Sequence, residues 1–284
     1  MSLLIEFKDV SYEYAASTPF AFDALRNVNV GIEEGKITAI IGPTGSGKST
    51  LVQHLNGLNR PTAGSVHILD HVLLPEEKTK KLKSLRAQVG LVFQFPEMQL
   101  FEVDVFTDVA FGPKNFGFSE EETKASVENA LELVGIDSSL WGKSPLDLSG
   151  GQKRRVAIAG VIASNPSVLV LDEPTAGLDP QGAAEMMALF VKLNKELGKT
   201  IVMVTPDMDH VLNYADDLIV MDQGNVHYSG PMKPYFLETK NLSDQGFVAP
   251  KVLQLKAMLK ERGIDTGESV SLDEIALMAK AGVE

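Results

Sequence analysis

Hydrophobic positions along the chain alternate between strand-like and helix-like spacing. Leu3–Val10 and the stretch around Val28–Ile32 read as short strands with turn-rich residues between them. Lys36–Ile41 is a buried strand that runs straight into a glycine-rich loop. Beyond the loop Leu51, Leu55 and Leu58 recur at i, i+4 and i+7, which predicts an amphipathic helix. Pro61 and Gly64 end that region, and Ser65–Leu69 and Val89–Phe93 resume as strands. From Ser119, Glu120-Glu121-Glu122 opens a helix carrying Val127, Leu131 and Val134. Val168–Leu171 and Thr200–Thr205 are continuous apolar runs, the pattern of strands buried on both faces. Between them Met186, Leu189, Leu193 and Leu197 share one helical face. Leu218–Met221, Gly224-Asn225 and Val226–Tyr228 read as a closing hairpin.

Strands alternating with helices imply a largely parallel α/β sheet under helical cover. A β-rich edge is expected near the N-terminus and a helical subdomain over roughly residues 98–164. Beyond Gly230 the pattern changes, and Pro231, Pro234 and Pro250 punctuate short helical pieces. One piece puts Val252, Leu255 and Leu259 on a single face, and Ser271 with Glu274 forms a capping box before Ile275 and Met278. Residues 1–230 therefore read as the main domain and residues 231–284 as a C-terminal appendage.

Composition narrows the picture. With 284 residues and 44% apolar content the chain can bury a large core. It has no cysteine, which excludes disulfides and thiolate metal sites. The net charge of −12, with both signs interspersed, argues against nucleic acid as the main partner. The first residues lack the basic-then-apolar layout of a signal peptide. Apolar stretches such as Val156–Ala163 fall far short of the ~20 residues that span a bilayer, so any membrane role is expected to come through partners.

The candidate chemistry is concentrated in three places. Gly42-Pro43-Thr44-Gly45-Ser46-Gly47-Lys48-Ser49 fits the phosphate-binding pattern G-x-x-x-x-G-K-[ST] in full, between a strand and a helix. Its glycines let backbone N–H groups face a phosphate, and the next helix aims its positive end at the same charge. Lys48 is placed to reach the β- and γ-phosphates and Ser49 to ligate Mg²⁺. The strand Val168–Leu171 ends in Asp172, suited to supporting Mg²⁺, and Glu173, suited to polarising an attacking water. Gln94 closes the strand Val89–Phe93 and offers a neutral amide to the ion or the water.

These segments resemble the ABC ATPases. Leu148-Ser149-Gly150-Gly151-Gln152 matches the signature of that family and Ala176-Gly177-Leu178-Asp179 its D-loop, in the family's order. The resemblance covers nearly all of residues 1–230. It implies a P-loop NTPase (RecA-like) α/β core with an N-terminal antiparallel β subdomain, an α-helical signature subdomain and a small helical C-terminal appendage. It implies ATP as the nucleotide, with Thr50 beside the phosphate loop and Tyr14 stacked on adenine, Tyr12 being the competing aromatic. It also implies a head-to-tail pair of ATPases, because Ser149, Gly150, Gly151 and Gln152 open a second helix N-terminus that would face the partner's nucleotide together with Asp179. Lys48, Gln94 and Glu173 are the expected catalytic residues, and Ser49, Gln94 and Asp172 the expected Mg²⁺ ligands.

A narrower resemblance is carried by Phe93-Gln94-Phe95-Pro96-Glu97, Gln99-Leu100-Phe101-Glu102 and Asp108-Val109-Ala110-Phe111-Gly112-Pro113. These are similar to the ATP-binding subunits of energy-coupling factor (ECF) transporters, importers of vitamins or transition-metal ions. Thr18-Pro19-Phe20 and Gln53-His54-Leu55-Asn56-Gly57-Leu58 are similar to the second of that family's two paired ATPases. That resemblance implies an ATPase heterodimer, a transmembrane coupling subunit, exchangeable small substrate-binding membrane proteins, and a place at the cytoplasmic face of the cell membrane. The appendage is expected to help hold the ATPase pair together. Phe95, Met98, Leu100 and Phe101 are expected to supply an apolar grip for the membrane subunit.

The chain departs from the family after Thr200–Thr205, where a γ-phosphate histidine is usual and Pro206 stands. Proline offers neither a side-chain donor nor an N–H. Thr205 is expected to cap the next helix with Pro206 in its first turn, and His210 to be a helix-face residue. A slowly hydrolysing site is the corresponding expectation. Lys78-Thr79-Lys80-Lys81 reads as a solvated helix face, and Lys153-Arg154-Arg155 as facing nucleotide or partner. Asn194-Lys195-Glu196 lies on an amphipathic helix with no following aspartate, which rules out a guanine-reading loop. A soluble ABC ATPase working on DNA or ribosomes is the rival reading. Only about a hundred residues without sustained heptads separate the phosphate loop from the signature, and there is one cassette, both of which weigh against it. A nucleotide-gated subunit with little catalysis is the other rival, and Glu173 weighs against that.

Overall fold

The computed structural model describes residues 3–75, 82–238, 242, 247–264, 266–267, 269–270 and 275–276. The basic run 78–81 and the capping box at 271 and 274 lie outside the described residues. Two sheets organise the chain. Strands β1 (Leu3–Tyr14), β2 (Phe22–Glu33), β4 (Ala63–Ile68) and β5 (His71–Leu73) form an antiparallel sheet in the order β2-β1-β4-β5. Strands β3 (Ile37–Ile41), β6 (Val89–Val92), β7 (Val168–Asp172), β8 (Thr200–Val204), β9 (Asp217–Asp222) and β10 (Asn225–Pro231) form the second, in the order β10-β9-β3-β8-β7-β6. Its pairs are parallel except for the β9–β10 hairpin.

The continuous apolar strands are buried on both faces, as their runs predict. Leu169, Leu171, Ile201 and Met203 face one core, while Val168, Val170, Val202 and Val204 face the other, the two-residue period of a strand. The first core is closed by α3 (Val105–Phe116), α4 (Glu120–Leu133), α5 (Gly150–Ile162) and α6 (Pro180–Lys195). The second is closed by α1 (Lys48–Leu55), α2 (Leu82–Gln88) and the antiparallel sheet. A third cluster gathers α7 (Met208–Tyr214), α8 (Met232–Glu238) and α9 (Lys251–Glu261) along β3 and β9. There Val252 is buried, with Leu255 and Leu259 packed beside it. No described helix is long and apolar enough to cross a membrane.

Several expected boundaries move. Leu58 lies beyond α1 and Leu197 beyond α6, and both are about half exposed, because each helix ends before its apolar spacing does. The predicted opening of α4 is present: Ser119 accepts from Glu122 N at 3.2 Å and Glu122 Oε2 accepts from Ser119 N at 2.7 Å. The cap before α7 is Asp207, not Thr205. Its carboxylate accepts from Asp209 N and His210 N, while Thr205 Oγ1 accepts from Asp207 N at 3.1 Å. Pro206 therefore sits ahead of the helix and not in its first turn, and His210 packs against Tyr214 on the helix face.

Candidate nucleotide site

Parallel strands bring their C-terminal ends to one edge of a sheet, and loops leaving that edge converge on one crevice. Here β3 leads into residues 42–49, β6 into Gln94, β7 into Glu173 and β8 into Thr205. Four segments far apart in the chain thus meet for one topological reason.

The loop after β3 has left-handed backbone at Gly45 (φ 82°) and Gly47 (φ 100°). A Cβ on Gly47 would lie 2.5 Å from the Ala24 carbonyl oxygen, and one on Gly42 would lie 2.2 Å from that of Met221. The loop is held from outside by the β9–β10 turn, where Gly224 N donates to Ser46 O and Arg26 N donates to Gly224 O. Gly47 serves as the N-cap of α1 and has no side chain to satisfy the first-turn N–H groups. Helices α3 to α7 all begin with a side-chain cap. The N-terminus of α1 therefore fits a bound anion such as phosphate.

Lys48 Nζ lies against this loop, donating to the carbonyls of Gly42 and Pro43 at 2.8 Å each. Burial holds its ammonium below the usual lysine range, against the pull of Glu173 and Asp172. Ser49 hydrogen-bonds Asp172, whose carboxyl is pushed up by burial although Ser49 and Lys48 draw it down. An anionic phosphate and a divalent cation would each relieve one of these buried charges. Among the described residues no three His, Asp or Glu side chains form a ready-made metal cage. One hydroxyl, one carboxylate and one amide oxygen instead suit Mg²⁺, which keeps waters and phosphate oxygens in its shell.

Gln94 and Glu173 are brought together across the sheet edge, with Gln94 Nε2 donating to Glu173 Oε2 at 2.6 Å. Glu173 adopts φ 48°, which lifts it out of the sheet while its N–H still bonds Val204 O at 2.9 Å. A left-handed glutamate costs about 1–2 kcal/mol, the kind of strain that gathers at functional positions.

Tyr14 ends β1 half-exposed, edge-on to Tyr12 at 4.7 Å. Its hydroxyl meets Thr50 Oγ1 at 3.2 Å and accepts from Asn59 Nδ2 at 3.3 Å. Thr50 is buried, so its hydroxyl meets Tyr14 in this arrangement. Tyr12 is the more enclosed of the pair, and burial, then Tyr14, raises its phenol.

The signature is held by its own cap. Ser149 caps α5 by accepting from Gln152 N at 3.3 Å, and Gln152 Oε1 accepts from Ser149 N at 2.9 Å. Gly150 and Gly151 are exposed, with nothing within 4 Å of an added Cβ. Asp179 caps α6 through Gly182 N at 2.6 Å and is also exposed.

One expectation is overturned at Arg154, which does not face outward but is buried in a double hydrogen bond to Glu97. Arg155 stays partly exposed and pairs with Glu185 and the Val134 carbonyl. The sequence does not reveal the Glu97–Arg154 pair, because no local period links positions 57 residues apart.

Comparison with known proteins agrees with this geometry. Residues 25–176 match the ABC transporter family. The energy-coupling factor transporter ATP-binding protein EcfA2 of Enterococcus faecalis is 52% identical over 259 residues, covering 91% of this chain and 90% of that protein. EcfA2 of Lactiplantibacillus plantarum is 50% identical over 275 residues, covering 96% and 93%. Among solved structures, cbiO1 of Clostridium perfringens, part of the ABC transporter complex cbiONQ, superposes with a TM-score of 0.74 at 39% identity, covering 92% of this chain and 100% of that one. The dimeric cassette MJ0796 bound to ADP and Pi superposes with a TM-score of 0.70 at 32% identity, covering 80% and 98%. The chain belongs to the ABC transporter family, among the ATP-binding subunits of energy-coupling factor transporters.

Proposed function

We propose that this chain binds MgATP on residues 42–50 and contributes one of two composite sites in a heterodimer of ATPases that drives import of a vitamin or transition-metal ion. The observation that carries the proposal is the convergence of Lys48, Ser49, Asp172, Gln94 and Glu173 at one sheet edge, with Gln94 and Glu173 in direct contact. Tyr14 would stack on adenine, loop N–H groups and Lys48 would hold the phosphates, and Ser49, Asp172 and Gln94 would hold Mg²⁺. When bound, Mg²⁺ would supply positive charge against the charge that builds up on the phosphate oxygens. Glu173 takes a proton from water as its oxygen attacks the γ-phosphorus, and the bond to the β-phosphate oxygen breaks with ADP leaving. Gln94 orients that carboxylate.

Ser149 to Gln152 and Asp179 serve the partner's nucleotide, a reading supported by the exposure of Ser149, Gly150, Gly151 and Asp179 at the starts of α5 and α6. ATP closes the pair; hydrolysis and phosphate release reopen it. A transmembrane coupling subunit at the cytoplasmic face receives that motion through the surface after Gln94. Met98 and Phe101 are exposed there, Phe111 stacks edge-on to Phe101 at 5.0 Å, and Leu100 packs inward as their support. Small substrate-binding membrane proteins join through that subunit, and residues 231–284 help hold the ATPase pair. The decisive experiment is Glu173→Gln in the reconstituted complex, expected to retain ATP binding and abolish uptake. Normal uptake would exclude Glu173 as the base.

A further inference from the structure

Arg154 sits at a junction that the nucleotide chemistry does not require. Its guanidinium is 3% exposed and spans three directions. Nε donates to Glu97 Oε2 at 2.9 Å, one terminal nitrogen to Glu97 Oε1 at 2.8 Å, and the other to the Ala176 carbonyl at 2.7 Å. The same group lies 5.7 Å over the Phe95 ring. Phe95 in turn packs on Gly177, where a Cβ would come within 3.3 Å of the ring. Burial alone would raise the Glu97 carboxyl, yet the Arg154 bonds hold it below the usual range. A planar fork satisfies these three acceptors at once, which a lysine ammonium cannot do with the same geometry.

Three surfaces with different duties therefore meet on one side chain. Glu97 lies in the short 3-10 turn Pro96–Gln99 that carries exposed Met98. Arg154 lies in the first half of α5, whose N-terminus is Ser149. Ala176 precedes Asp179, the cap of α6. We infer that Arg154 and Glu97 are positioning residues that lock the membrane-facing turn to the two exposed caps aimed at the partner's nucleotide. Gln94 reports the state of this chain's own site through Glu173, and Arg154 carries the same displacement to the opposite site. Breaking the lock leaves nucleotide binding intact and lets hydrolysis proceed without moving the membrane subunit. This rests on the transport reading above.

The test is the whole complex in liposomes carrying wild type, Glu97→Gln, Glu97→Asp or Arg154→Lys, with uptake and ATP hydrolysis read in the same vesicles. Substrate taken up per ATP hydrolysed is expected to fall at least about threefold in Glu97→Gln and Arg154→Lys, the scale of coupling carried by one networked residue. Glu97→Asp, which keeps the charge, is expected to fall between. The KM for ATP should stay within about twofold throughout. A merely structural role would lower both rates together and leave the ratio fixed, and that result overturns the inference. Should Arg154→Lys fail to assemble, Glu97→Gln at the more accessible end of the pair decides alone. A wild-type complex that hydrolyses ATP without uptake overturns the transport reading as well. A transporting wild type with an unchanged Glu97→Gln ratio overturns only the lock.

Discussion

Gly47→Ala probes whether this loop has one allowed shape. At φ 100° an alanine meets the left-handed penalty, about 1–2 kcal/mol. Its Cβ would also sit 2.5 Å from the Ala24 carbonyl oxygen, with Leu25 and Met221 side-chain carbons at 3.1 and 3.3 Å. That carbonyl cannot easily retreat, since Leu25 pairs with Tyr12 in the sheet and Arg26 is bonded to Gly224. Overpacking of this kind costs about 1–3 kcal/mol, so the total is about 2–5 kcal/mol. Gly45→Ala is the internal control, because φ is 82° there but nothing lies within 4 Å of the new Cβ. It should cost only the backbone penalty, about 1–2 kcal/mol. An empty loop sheds the strain by shifting, and bound phosphate forces it back, so most of the cost falls on affinity. Calorimetric titration with ATP and Mg²⁺ should show Gly47→Ala weakened by about 30-fold or more and Gly45→Ala by about 5- to 30-fold. Equal affinities for the two variants would refute the steric argument, and wild-type affinity for both would remove the loop from the nucleotide site.

Three other outcomes are expected. Gly151→Ala in the first turn of α5 meets no neighbour, so helix propensity should raise stability by up to about 1 kcal/mol while the complex loses ATPase activity; a lower Tm, or an unchanged rate, counts against a partner-facing role. Pro206→His, at an exposed position ahead of the Asp207 cap, should increase ATP turnover of the whole complex, and an unchanged rate would sink the idea that this site is slow. Glu97→Gln should cost about 1–3 kcal/mol at neutral pH, measured by denaturant unfolding. Because the folded Glu97 is held below its usual 4.5, that contribution is complete above the unfolded value and disappears as pH falls through the depressed one; a difference that persists in acid would mean the pair acts by packing and not by charge.

What the sequence determined by itself is whatever short-range geometry dictates. Residues 42–49 read as a phosphate loop because the glycines, lysine and serine of the pattern are contiguous. Asp172 and Glu173 end an apolar strand, and Ser149 with Gln152 closes its own capping box, so these too are visible in a few residues of chain. Apolar spacing marked the core of α1 and α6 but ran past their ends, since a helix stops where its backbone partners stop. Tertiary structure alone decided that Gln94 would touch Glu173, that Tyr14 would meet Thr50, and that Arg154 would turn inward to Glu97 and Ala176. Those meetings depend on strand order and on how α5 packs beside the sheet edge. A buried arginine and an exposed one look alike along the chain, because burial depends on residues far away in sequence.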